Sequence, residues 1–98
     1  MILYCGELRA KAGKRAEYIE ALQKADLEKR FRRQHGNIFY YIAASITDKD
    51  TIFVSDAWEA KEDFDAHVSS DECKTWFRLH DEYVEEDVRG DTLTVKKL

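Results

Sequence analysis

Apolar and polar residues alternate from Ile2 to Ala10, with Ile2, Tyr4, Gly6 and Leu8 on one side and Leu3, Cys5, Glu7 and Arg9 on the other. This period of two predicts a half-buried β-strand, and Gly6 marks a place where a bulky group can approach its backbone. Ala12-Gly13 breaks the pattern. From Lys14 to Arg33 the period becomes helical: Tyr18, Leu22 and Ala25 recur among good helix formers, and Ile19, Leu27 and Phe31 widen the apolar face. One helix is predicted, stopped by His35-Gly36-Asn37 after the basic turn of Lys29, Arg30, Arg32 and Arg33. Ile38 to Ser45 and Thr51 to Trp58 are β-rich runs joined by the polar Asp48-Lys49-Asp50, the pattern of an antiparallel hairpin.

Ala60 to Val68 predicts a short helix with Phe64, His67 and Val68 on one face. Ser69 with Glu72 three residues on has the form of a capping box, opening a helix from Ser70 to about Glu86 that carries Cys73, Trp76, Phe77, His80 and Val84 on one broad face. Arg89-Gly90-Asp91 interrupts, and Thr92 to Val95 alternates as a last strand. The order β-α-β-β-α-α-β predicts an α+β fold of the ferredoxin-like kind, an antiparallel sheet with helices on one face.

Length and composition narrow the classes. The 98 residues correspond to one domain, and 44% apolar with 12% aromatic residues are enough for a core. Sixteen basic against twenty acidic residues give a net charge of −4, with 37% of the chain charged and the signs interleaved. That balance argues against nucleic-acid binding, which draws on a net basic face. The basic turn at Lys29 to Arg33 is explained by its place at a helix C-terminus. No apolar run approaches the roughly 20 residues of a membrane span, and Glu7 interrupts the N-terminus too early for a signal core, so a cytoplasmic protein without membrane partners is expected. Cys5 and Cys73 lack metal-ligand or disulfide spacing and read as small buried hydrophobes; no metal, flavin or other cofactor is expected. So short a chain favours dimerisation.

Several residues could carry chemistry. His67 shares an inward helical face with Phe64, where an imidazole could take a proton from a phenolic substrate near neutral pH; otherwise it caps the short helix through a carbonyl or Ser70. Tyr4, Trp76, Phe77 and Trp58 could wall an aromatic slot for a flat ligand, although core packing explains Trp58 at least as well. Asp56 has the strand parity of Trp58 and could orient His67, or pair with an arginine at the sheet edge. His80 lies one turn beyond Trp76. Glu7 and Arg9 occupy the opposite sheet face.

The turn Leu8-Arg9-Ala10-Lys11-Ala12-Gly13, the run Gly36-Asn37-Ile38-Phe39-Tyr40, and Trp58-Glu59 followed by Phe64, His67, Ser70 and Trp76 resemble the antibiotic-biosynthesis-monooxygenase family over nearly the whole chain. The W-E-x(4)-F-x-x-H-x-x-S spacing is the most specific part. The resemblance implies a homodimer whose sheets pack face to face into a shared α+β barrel, with a pocket in each subunit between sheet and helices. It also implies oxidation of anthrones or quinols by O2 without metal or flavin. His67 would then be the catalytic proton acceptor, and Tyr4, Asp56, Trp76, Phe77 and His80 the substrate-binding residues. Other branches isomerise a phosphorylated carbonyl compound or degrade haem, and a non-catalytic binding dimer is a further alternative. Aligned on the glycine turn and Trp58, the haem branch's strand asparagine, pocket tryptophan and axial histidine fall at Gly6, His67 and Phe77. All three differ, and His80, one turn further along, could ligate iron only if the helix were shifted, which demotes that branch. The proline that commonly precedes the turn glycine is absent, a change that touches only turn stiffness.

Overall fold

In the computed structural model, which describes residues 1–98, the alternating N-terminal run becomes strand β1 (Ile2–Ala10). Its antiparallel neighbours are β3 (Thr51–Trp58) and β4 (Val84–Thr94), and β2 (Asn37–Ala44) lies beyond β3, giving the order β2-β3-β1-β4. Helices α1 (Arg15–Lys24), α2 (Leu27–Arg32), α3 (Lys61–Val68) and α4 (Asp71–Tyr83) complete the ferredoxin-like α+β fold.

Strand parity decides what is buried. Ile2, Leu8, Ile52, Val54, Trp58 and Tyr40 meet Tyr18, Leu22, Leu27, Phe31, Cys73 and Trp76 from the helices in one core. The register places Thr92, Tyr4, Asp56 and Tyr40 in one row across the sheet, because Tyr4 pairs with both Asp56 and Thr92 and Tyr40 pairs with Asp56. The alternate residues form the other face, with no helix over it. Phe39 and Tyr41 stack there at 5.4 Å, and Tyr41 is 60% exposed.

Three predicted boundaries shift. The single helix over Lys14 to Arg33 is two helices, broken at Asp26, whose φ of +54° lies in the left-handed region. Aspartate tolerates that conformation better than most residues, and the turn lets Leu27 and Phe31 restart an inward face that a straight helix would rotate away. The last helix ends at Tyr83 instead of near Glu86, and β4 runs straight through Arg89-Gly90-Asp91. The strand predicted from Thr92 is its end; before it, pairing with β1 imposes a strand on a stretch too polar to announce one. The cap of α4 is Ser70, not Ser69: its Oγ accepts from the Cys73 amide at 3.2 Å, while the Ser69 hydroxyl donates to the Asp65 carbonyl. Gly36 takes the left-handed φ of +78° after α2, and a Cβ there would collide with Asp63.

Candidate functional site

At one end of the helix-covered face a cavity of about 410 Å³ opens between the sheet and helices α3 and α4. Six residues singled out from the sequence line it, Tyr4, Asp56, His67, Trp76, Phe77 and His80, whereas Trp58 does not and is fully buried in the core. Helical spacing brings His67 in from α3 and Trp76, Phe77 and His80 from α4; strand parity brings Tyr4 and Asp56 from the sheet. Phe77 is half-exposed, whereas Trp76 is nearly buried, with its indole N–H donating to the Tyr18 hydroxyl at 2.7 Å. The Tyr4 ring lies along β1 over Gly6 and Gly90. A Cβ on Gly6 would stand 2.9 Å from the ring, and one on Gly90 2.5 Å from the hydroxyl, so two opposed glycines make room for it. Gly6 thus admits a bulky group as its sequence suggested, and that group is Tyr4.

His67 is 4% exposed, stacked on Trp58 at 4.6 Å and edge-on to Phe31 at 4.8 Å. Its partner is neither Asp56 nor Ser70's hydroxyl but Gln34, whose Oε1 lies 2.6 Å from Nδ1. The amide of Gln34 donates to Ser70 Oγ and Glu72 Oε2, which turns its carbonyl oxygen toward the ring and fixes the proton on Nδ1. Nε2 is then the acceptor nitrogen, 3.4 Å from the Tyr40 hydroxyl and 3.5 Å from Cys73 Sγ. Burial lowers the His67 pKa to about 4, with Glu72 opposing weakly. The imidazole is therefore neutral at physiological pH, below the near-neutral titration expected of a free histidine. The Ser70 hydroxyl meets the residue through its backbone, donating to the His67 carbonyl at 2.6 Å.

Asp56 is 1% exposed. Its Oδ2 accepts the Trp58 indole N–H at 2.7 Å, and its Oδ1 has no hydrogen-bond partner. It reaches neither His67 nor an arginine. Burial raises its pKa to about 6, partly offset by the indole bond. Tyr40 and Cys73 are pushed upward by the same desolvation, the thiol to about 12, so both stay protonated. His80 Nδ1 donates to the Trp76 carbonyl at 2.9 Å, leaving Nε2 free of protein partners. Asp81, Asp87 and Arg89 complete the lining, and the Arg89 Nε is 3.9 Å from Asp91.

Two contributors escaped the sequence reading. Tyr40 has the inward parity of Asp56, which alternation along β2 could have shown; Gln34 sits in a helix-stop segment and carries no pattern at all. Arg9 pairs with Glu85 at 3.3 Å and with Glu86, inside its own sheet. No three His, Cys, Asp or Glu side chains converge at metal-ligand geometry. No helix is long and apolar enough to cross a membrane.

The sequence pattern of a protein family described as antibiotic biosynthesis monooxygenase matches residues 1–79. No curated protein matches the chain. Among solved structures, a candidate antibiotic biosynthesis monooxygenase of Nitrosomonas europaea superposes with a TM-score of 0.85 at 20% identity, over 97% of this chain and 98% of that one. A conserved protein of Methanosarcina mazei gives 0.85 at 19% identity, over 97% and 92%. A Shewanella oneidensis protein gives 0.83 at 26% identity, over 94% and 87%.

Proposed function

The chain belongs to the antibiotic biosynthesis monooxygenase family, and from that premise we propose that it oxidises a flat, electron-rich aromatic of the quinol or anthrone class with O2, using no bound cofactor. The observation that carries this reading is the cavity: about 410 Å³, with Tyr4, Tyr40, Phe64, Trp76 and Phe77 as ring walls and the charged Asp81, Asp87 and Arg89 exposed to solvent at its edge. Such a volume accepts a small fused aromatic, and ring walls favour stacked or edge-on contacts with it. The substrate anion supplies the electrons to O2, so the protein binds the ring, receives a proton and keeps water out. With an anthrone, the methylene carbon gains one oxygen atom and loses two hydrogens, which leave with the second oxygen atom as water.

His67 serves this reaction as a neutral acceptor. Its Nε2 accepts from the hydroxyl of Tyr40 in the cavity wall, and Gln34 holds the ring in the tautomer that this requires. Charge disfavours a phosphorylated carbonyl substrate in the same cavity. Asp56, Asp81 and Asp87 outnumber Arg89, which already has Asp91 beside it, so a phosphate would meet a net negative lining. The helix-free sheet face, with Tyr41 and Phe53 exposed on it and the half-buried Phe39 beside Tyr41, supports a homodimer.

An oxygen electrode with anthrones and hydroquinones, followed by mass analysis under ¹⁸O2, tests the activity. The expected result is one O2 consumed per substrate, with one ¹⁸O in the quinone formed from an anthrone. His67→Ala is expected to slow turnover per folded molecule by about 10- to 100-fold, the loss of a positioning contact. Absence of uptake across the whole substrate panel would sink the reading.

A further inference from the structure

Oxidation through a substrate anion needs a group that takes a proton, and on that monooxygenase reading we propose that Asp56 is the proton acceptor, its free Oδ1 receiving the hydroxyl proton of a phenolic substrate. The carboxylate lies between Tyr4 and Tyr40 in the sheet and lines the cavity. Trp58 holds one oxygen at 2.7 Å and thereby fixes the group; the other oxygen is buried and has no donor. Buried carboxylate oxygens are rarely left so, and one that borders a ligand-sized space is satisfied when the ligand brings the donor.

The neighbours do not compete for the role. From α3, His67 has its Nδ1 proton committed to Gln34 and is too weakly basic at Nε2. From β1, β2 and α4, Tyr4, Tyr40 and Cys73 are all displaced upward and remain protonated. His80 on α4 already donates through Nδ1, and Asp81, Asp87 and Arg89 are exposed to solvent at the cavity's outer end. Desolvation supports the assignment, because an Asp56 pKa of about 6 makes it a stronger base than an ordinary carboxylate while leaving it ionised at neutral pH.

The proton passes to Oδ1 from the hydroxyl of a phenolic substrate, or from the methylene carbon of an anthrone, and the bonding electron pair stays on the substrate. The anion then gives one electron to O2, and the resulting radical and superoxide join through a new C–O bond. The peroxide anion takes the proton back from Asp56. Loss of water from the hydroperoxide leaves the carbonyl product and the carboxylate as it began.

Asp56→Asn tests the assignment with little change in volume. The Trp58 N–H still needs an acceptor, so the amide carbonyl turns to it and the NH2 group takes the place of Oδ1, replacing an acceptor by a donor. Binding of 1-naphthol and of its methyl ether 1-methoxynaphthalene is read by quenching of Trp58 and Trp76 fluorescence. Wild type is expected to prefer the naphthol by at least about 10-fold at neutral pH, roughly one hydrogen bond to a charged acceptor. The preference fades as pH falls below about 6. In Asp56→Asn it disappears at every pH, and anthrone turnover drops by about 10²- to 10⁴-fold. A wild type that binds both probes equally, or a variant that keeps either the preference or the turnover, overturns the proposal. A wild type with the pH-dependent naphthol preference but no oxygen uptake supports Asp56 as the acceptor and rejects the oxygenase reading alone.

Discussion

Asp56 and His67 are displaced in opposite directions over the same pH range, and their effects on stability oppose each other. Folded His67 binds fewer protons than the unfolded chain between about 4 and its ordinary 6.5; its contribution is full above that range and is lost as pH falls. Folded Asp56 binds more protons than the unfolded chain between 3.8 and about 6; its contribution is full in acid and is lost as pH rises. The two slopes largely cancel in the wild type. Asp56→Asn is therefore expected to gain stability relative to wild type as pH rises from 4 to 6, and His67→Gln to lose it, each by on the order of 2 kcal/mol across the interval. Urea titrations at several pH values measure this, and two variants with parallel profiles would refute it. The six candidate positions share one cavity because period and parity already place them on inward faces. Protonation states were not legible in the same way: they depend on Gln34 and on burial depth, which arise only when separate elements meet.

Among the elements, α1 is hydrogen-bonded to the β2–β3 hairpin through the side chain of Arg15. Arg15 Nη1 donates toward the carbonyls of Ser45, Asp48 and Thr51 at 2.8 to 3.0 Å. Arg15→Ala leaves these carbonyls without that donor and is expected to cost about 1–3 kcal/mol in a denaturant titration, with the cavity at the other end of the sheet unaffected. An unchanged midpoint would mean that water replaces the guanidinium fully. The break between α1 and α2 was legible in part. Tyr18 to Leu22 and Leu27 to Phe31 are spaced by four, but Leu22 to Leu27 by five, a slip that no straight helix accommodates on one face. The alternation of Thr92 to Val95 marks the end of β4, but nothing of that kind marks its first half. Its exposed Glu85, Glu86, Asp87, Arg89 and Asp91 show no apolar alternation, and only the backbone of β1 makes it a strand.

For the whole molecule, the uncovered sheet face is the largest unsolved burial problem, since Phe39, Tyr41 and Phe53 gather where no helix packs. Light scattering is expected to give twice the chain mass for wild type and a single chain mass for Tyr41→Glu combined with Phe53→Glu, which sets like charges into an apolar seam. A wild-type monomer at micromolar concentration would remove the shared barrel from this reading. The strand that lines the cavity's outer end is also the one least anchored to the core: beyond Val84 every residue of β4 is exposed, and its ladder to β1 is interrupted by two register shifts. Local opening concentrates in segments held by few buried contacts. The backbone amides of β4 are therefore expected to exchange hydrogen faster than those of β1 and β3, a difference that hydrogen exchange measures. A molecule bound in the cavity touches both β4 and α4 and is expected to slow that exchange most in β4, so that occupancy is read in the segment with the least burial of its own.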